Sequence, residues 1–213
     1  MDSLSRHEDY GQAALHESHL DADPFVQFAQ WLKDAEAGDI FEPNAFVLGT
    51  VDAQGKPTAR TVLLKGVSPE GFFFATNYLS RKGHAIDENP PVSAVFGWYS
   101  MFRQVLVEGH AKRVEPGESD EYHDSRPRDS QVAAWASNQS QPIASREDLE
   151  AQFEAADAKF ATGPVPRPEF WGGYRIVPTR IEFWKGRSNR MHDRIEFARA
   201  DANSPWQVQR LQP

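Results

Sequence analysis

The chain has 213 residues, 39% apolar and 25% charged, a globular composition long enough to fill one core. With 23 Lys and Arg against 31 Asp and Glu the net charge is −8, which excludes a general nucleic-acid or membrane-surface binder but not a local cationic pocket. Cysteine is absent, so disulfides, thiolate catalysis and Cys-built metal sites are excluded; a polar start and no apolar run near the ~20 residues of a membrane span lead us to expect a cytoplasmic protein.

Residues 1–22 carry little periodicity and read as a mobile arm, leaving 23–213 as a single domain. Asp23 caps a predicted helix with Pro24 at its first position, and Phe25, Phe28, Ala29 and Leu32 follow at helical spacing up to Gly38. Strands are then expected at 45–51 and 58–67, joined as a hairpin by Asp52-Ala53-Gln54-Gly55, and a third over 72–76. Ser80 caps a short helix ending near Asn89. Strands at 92–99 and 103–114 precede a helix over 116–125 that Pro127 ends. Ser145 opens a further helix to about Phe160, and strands return at 174–177, 180–184, 195–200 and 206–211. Strands joined by tight turns, with few inserted helices, predict a mainly antiparallel barrel. Neither a Rossmann glycine fingerprint nor a Walker loop is present.

Four constellations could carry chemistry. In Arg190-Met191-His192-Asp193-Arg194 an extended backbone sets Arg190, His192 and Arg194 on one face, fit either for an anion or for a solvated strand end paired with Asp193 and Glu196. Arg60 and Lys65 bracket Thr61, Val62, Leu63 and Leu64; their spacing of five sets them on opposite faces unless a bulge intervenes, and strand-end snorkelling fits equally well. Ser80-Arg81-Lys82-Gly83 joins two cations to the free N–H groups of a helix start, a phosphate-site pattern that many surface helices share. Tyr122 and Arg126 share a helix face, with Ser130 beyond Pro127, a donor set suited to a phosphate monoester. His16 and His19 lack a third ligand, so no metal is expected.

Seven segments in order, RTVLLKG (60–66), TNYLSRKG (76–83), RQVLVEG (103–109), SRPRDSQVAAWASNQSQ (125–141), WGGYRIVP (171–178), IEFWKGRSNRMHDR (181–194) and the terminal RLQP, resemble the pyridoxamine 5′-phosphate oxidase family. The resemblance runs from about Asp23 to Pro213 and implies the antiparallel FMN-binding split barrel with peripheral helices. It implies that FMN is held by Arg60, Thr61, Val62, Leu63, Leu64, Lys65, Ala75, Thr76, Arg81, Lys82 and Gln104, with Gln139, Ser140, Trp184 and Arg194. Lys65, Tyr122, Arg126 and Ser130 would grip the phosphate of pyridoxamine or pyridoxine 5′-phosphate. Arg190, Met191 and His192 would cover its ring, with Arg190 and His192 catalytic. Dioxygen would accept the electrons, giving hydrogen peroxide and pyridoxal 5′-phosphate, with ammonia released from the amine. A homodimer with FMN at the interface is implied as well. Three features depart from the family pattern: Ala75 replaces a common tyrosine, the arm reads Arg6-His7-Glu8-Asp9-Tyr10 with acids where a second cation is usual, and Tyr99-Ser100-Met101-Phe102 is unusually apolar.

Overall fold

The computed structural model describes Leu4 and residues 9–213. Its frame is one nine-stranded, wholly antiparallel sheet in the order β2-β1-β5-β6-β7-β4-β3, with β8 on β7 and β9 on β8. The strands are β1 Ala45–Val51, β2 Pro57–Leu63, β3 Gly66–Ser68, β4 Gly71–Asn77, β5 Pro91–Trp98, β6 Arg103–Arg113, β7 Trp171–Lys185, β8 Asp193–Ala198 and β9 Gln207–Leu211. The helices are α1 Pro24–Ala37, α2 Arg81–Glu88, α3 Pro116–Asp124, α4 Arg128–Ala136 and α5 Arg146–Lys159. β7 is the spine. One edge pairs with β6 from Tyr174 to Lys185, while the other pairs with β4 over its first part and with β8 over its last. That change of partner on a single edge is where the barrel splits.

Helix α1 closes the core. Asp23 accepts the Phe25 N–H at 2.8 Å, as an N-cap carboxylate should. Phe28 then meets Phe72, Phe96 and Trp98 at 4.9, 4.8 and 6.0 Å between centroids, and Trp31 meets Phe183 at 5.2 Å. Phe28, Phe72, Phe96 and Phe183 are fully buried. Each such ring contributes roughly 1.5–3 kcal/mol by leaving water.

The caps at Ser80 and Ser145 form as expected, accepting from the N–H groups of Gly83 and Asp148. Three elements differ from the sequence reading. The strand expected over 58–67 is two strands, because the backbone changes partner at one step. Leu64 still donates to Asn44 on the β1 side, whereas Lys65 donates to Phe73 on β4. The two strands expected at 174–177 and 180–184 are one, since a register shift at Glu108/Gly109 of β6 accommodates Pro178, which has no N–H to give. The segment after Pro127, to which no element was assigned, forms α4, with Pro127 as its N-cap.

Candidate active site

Three groups of predicted residues assemble. In the first, Lys82 sits in the opening turn of α2 with only 9% of its surface exposed. Its ammonium donates to Gln139 Oε1 at 2.8 Å, Thr76 Oγ1 at 3.1 Å and Ser80 Oγ at 3.4 Å, all neutral acceptors. Burial first, then the nearby Arg60 charge, brings its pKa down to about 8. Arg60 reaches the Leu48 carbonyl (3.1 Å) and Thr50 Oγ1 (2.8 Å) on β1 and Thr58 Oγ1 (2.5 Å) on its own strand; burial and the charge of Arg81 lower its pKa too. Among the described residues none of these three cations pairs with a carboxylate, although Arg103, Arg113, Arg167, Arg175 and Arg180 all do. Mutually repelling cations on neutral ligands are short of one anion. Gln139 and Ser140, the latter at φ +73°, border a cleft of about 520 Å³ that Asn77, His84 and Phe170 also line.

In the second group the Tyr122 ring stacks on Trp171 (6.1 Å, 12°) and meets Phe73 edge-on (5.4 Å), and burial raises its phenol pKa. Arg126 lies with Cζ 4.4 Å over the Trp171 ring. Its Nη1 is buried with no hydrogen-bond partner, and burial lowers its pKa. A buried donor left unmade costs about 1–3 kcal/mol, more for a charged group, unless a ligand takes it up. The corner between α3 and α4 is held by Gln131 Nε2, which donates to the carbonyls of His123, Asp124 and Arg126 at 3.1, 3.3 and 3.1 Å. Ser130, half-buried, stands in the opening turn of α4 just beyond that corner, its N–H donating to the Pro127 carbonyl at 2.9 Å. Lys65 is exposed, and its backbone donates to Phe73, the ring that Tyr122 touches. Trp171, Phe73 and Gln131 were not singled out from the sequence; the aromatic at the head of WGGYRIVP was the available signal. The first two groups adjoin, because Asn77 pairs with Trp171 and Thr76 with Gly172. Ala75 pairs with Gly173 beside them, while Thr61, Val62 and Leu63 belong to β2 and Leu64 is buried at the junction.

The third group lies at the far end of β7. Trp184 stands opposite Gln104 on β6 and Arg194 on β8. The His192 ring is 4.8 Å from Trp184 and 5.7 Å from Tyr10, and its Nδ1 accepts the Arg187 N–H at 3.1 Å. Arg194 is already matched: it forms two 2.8 Å bonds with Glu182 and one of 3.0 Å to the Gln212 carbonyl. The extended run expected at 190–194 is corrected here. Ser188–Arg190 is a 3₁₀ turn, and Asn189 and Arg190 take left-handed φ of 58° and 59°. Arg190 is consequently exposed and does not share a strand face with His192 and Arg194. Met191 is 66% exposed. A cleft of about 630 Å³ runs past Gln12, Met191, His192, Asp193 and Arg210. Of the arm motif, Asp9 and Tyr10 are described and Arg6, His7 and Glu8 lie outside the described residues.

Trp184 is thirteen residues beyond Trp171, about 43 Å along a fully extended strand, so within one chain the third group stands apart from the other two. Among the described residues no three metal-ligating side chains cluster, and no helix is long and apolar enough to cross a membrane.

Comparison with known proteins gives this arrangement a context. Residues 32–160 match the family model described as pyridoxamine 5′-phosphate oxidase, and residues 171–213 match that of the pyridoxine 5′-phosphate oxidase C-terminal dimerisation region. A pyridoxine/pyridoxamine 5′-phosphate oxidase of Rubrobacter xylanophilus is 50% identical over 96% of this chain and 94% of its own. The Nostoc punctiforme enzyme of the same name is 48% identical, covering 97% and 96%. Among solved structures, PhzG from Burkholderia lata 383, in complex with tetrahydrophenazine-1-carboxylic acid, superposes with a TM-score of 0.87 at 29% identity, covering 96% of this chain and all of that one. A pyridoxamine 5′-phosphate oxidase-related, FMN-binding protein from Nostoc punctiforme shares the fold, with a TM-score of 0.71 at 13% identity over 91% of this chain and all of its own. With the split antiparallel barrel and full-length relatives in agreement, the chain belongs to the pyridoxamine 5′-phosphate oxidase family of enzymes.

Proposed function

We propose that the chain oxidises pyridoxamine 5′-phosphate and pyridoxine 5′-phosphate to pyridoxal 5′-phosphate with FMN as its resident cofactor. Dioxygen accepts the electrons and leaves as hydrogen peroxide, and the amine substrate also releases ammonia. One observation carries the reading. A chain of net charge −8 keeps two cationic sites, Arg60/Arg81/Lys82 and Arg126, with no carboxylate partner among the described residues. Two phosphate monoesters, one from the cofactor and one from the substrate, match those two sites in charge and donor number.

The residues fit FMN, because the buried Lys82 ammonium has only neutral acceptors and is depressed by its cationic neighbour, a state an anion relieves. Bound FMN supplies hydride acceptance and the reaction with dioxygen. Arg60, Thr76, Arg81, Lys82 and Gln139 would hold its phosphate end, with residues 61–65, Ala75, Ser140, Gln104, Trp184 and Arg194 completing the site. Tyr122, Arg126, Ser130 and Lys65 bind the substrate phosphate, and Trp171 supports the guanidinium from below. Arg190, Met191 and His192 lie over the substrate ring, orient it and limit the access of water.

One chain holds these groups at opposite ends of β7, so the reading includes a homodimer in which the Trp184–His192 end of one protomer completes the Lys82–Arg126 end of its partner. The match of residues 171–213 to a dimerisation region supports this. A PhzG-like oxidation of a phenazine precursor is the competing reading. Tyr122 and Ser130 beside Arg126 favour a phosphorylated substrate instead, since they add donors beyond those a single carboxylate uses. The test is peroxide release from pyridoxamine 5′-phosphate and from pyridoxamine, each with FMN-loaded protein. Turnover of the phosphorylated compound alone is expected; equal rates would overturn the phosphate assignment.

A further inference from the structure

Beside His192 a buried carboxylate ties together three distant parts of the chain. Asp193 Oδ2 accepts the Leu15 N–H at 2.9 Å and Arg187 Nη1 at 3.3 Å, and its Oδ1 accepts Arg210 Nη1 at 2.5 Å. Arg210 continues to Glu17 at 2.8 and 2.9 Å and to the Leu15 carbonyl at 2.8 Å. Burial pushes the Asp193 carboxyl up, yet the Leu15, Arg210 and Arg187 donors outweigh it and leave the group below its usual range. Asp193 thus grips the Arg187 side chain while the Arg187 backbone N–H is directed at His192 Nδ1, 3.1 Å away. The loop is further pinned where Ser188 N–H donates to Gly11 at 3.0 Å, and Trp184 and Tyr10 pack against the imidazole.

An imidazole nitrogen that accepts a hydrogen bond carries no proton, so in the neutral ring the proton resides on the other nitrogen. We propose that Asp193 and Arg187 are positioning residues that hold His192 as its Nε2-protonated tautomer, making it a hydrogen-bond donor rather than a base toward the substrate. The proposal rests on the reading that His192 faces the substrate ring. It follows that neutral His192 has no free lone pair on the substrate side. Its contribution is a fixed N–H dipole aimed at electron density on the substrate's polar substituents, which costs no reorganisation once the ring is locked. Asp193 acts through Arg187, as an outer carboxylate orients an inner ligand.

The test is a long-range proton–nitrogen correlation spectrum of FMN-loaded protein carrying nitrogen-15 histidine, taken where His192 is neutral and assigned by the resonance lost in His192→Gln. Nδ1 should resonate as an unprotonated nitrogen and Nε2 as a protonated one. The opposite tautomer should stay below about a tenth, beyond the modest Nε2 preference of free histidine. In Asp193→Asn and in Arg187→Ala, which retains the backbone N–H, the minor tautomer should rise at least ~3-fold. Reduction of bound FMN by pyridoxamine 5′-phosphate should slow about 10-fold in both, with FMN retained. A proton on Nδ1 in the parental protein, an unchanged ratio in a folded variant, or an unchanged reduction rate would overturn the proposal. If Asp193→Asn does not fold, Arg187→Ala decides alone, since that side chain is partly exposed. Should the parental protein fail to oxidise pyridoxamine 5′-phosphate, the functional reading falls, whereas the tautomer ratio still decides this one.

Discussion

Trp171 begins β7 and Trp184 stands one residue before its end, the first lying under the Arg126 guanidinium and the second against the His192 ring. If two copies are needed to bring those two rings together, damage to one half of the site should be complemented by a copy damaged in the other. Assayed at substrate near the parental KM, Arg126→Ala and His192→Gln protomers, each poorly active alone, should regain about a quarter of the parental rate when mixed and allowed to exchange. Half of the dimers are then hybrids, with one undamaged site each. Failure of the mixture to exceed its components would assign the whole site to a single chain.

Arg126→Ala by itself should act on binding. If Arg126 grips the substrate phosphate, that contact persists from the bound substrate to the transition state, so KM should rise about 10- to 100-fold, for ~1.5–3 kcal/mol of charge-assisted hydrogen bonding, with kcat nearly unchanged. Steady-state kinetics separate the two constants, and a collapse of kcat at constant KM would contradict this role.

Lys82 makes a prediction about pH. Its folded-state pKa of about 8 lies below the 10.5 of the unfolded chain. Between those values the unfolded chain binds more protons, so this group adds stability to the FMN-free protein as pH rises from about 8 toward 10.5. Anion binding needs the charged form, so FMN affinity should fall over the same interval. Thermal unfolding and FMN titrations at several pH values should move in opposite directions. Lys82→Met should raise the melting temperature of the FMN-free protein while weakening FMN binding.

Gly83 offers a case where helix propensity gives the wrong sign. Alanine is favoured over glycine inside a helix by roughly 1 kcal/mol. Here a Cβ would lie 2.1 Å from the Tyr78 carbonyl oxygen, which is backbone and cannot swing aside. Gly83→Ala should therefore lower the melting temperature and, by displacing Lys82, weaken FMN binding. An unchanged melting temperature would mean that the first turn of α2 can shift freely.

Elements fixed by local chemistry were legible in the sequence. Asp23-Pro24, Ser80 and Ser145 announce helix starts because a short acceptor side chain satisfies the first free N–H groups without help from elsewhere. What escaped depends on partners far along the chain. Nothing local in Leu64-Lys65 says that one residue bonds to β1 and the next to β4. Pro178 reads as a strand break until the irregularity at Gly109 is set opposite it. The same holds for the site. Lys82 and Arg126 were found from residue type and spacing, while the left-handed turn at Asn189 and Arg190, which removes Arg190 from the strand face, had no signal in the alternating pattern. Trp171 serves Arg126 only because α3 is folded back over β7.

The tie from Arg210 to Glu17 and Leu15 spans 193 and 195 residues. During synthesis the barrel's early strands can collapse as they emerge, but the polar anchors of the segment at Leu15, Asp193 at its N–H and Arg210 at its carbonyl, arrive only with β8 and β9. Completion of the His192 end therefore waits for β9 to pair with β8. A chain ending at Gln209 keeps nearly every core residue and loses the guanidinium that gathers Asp193, Glu17 and Leu15.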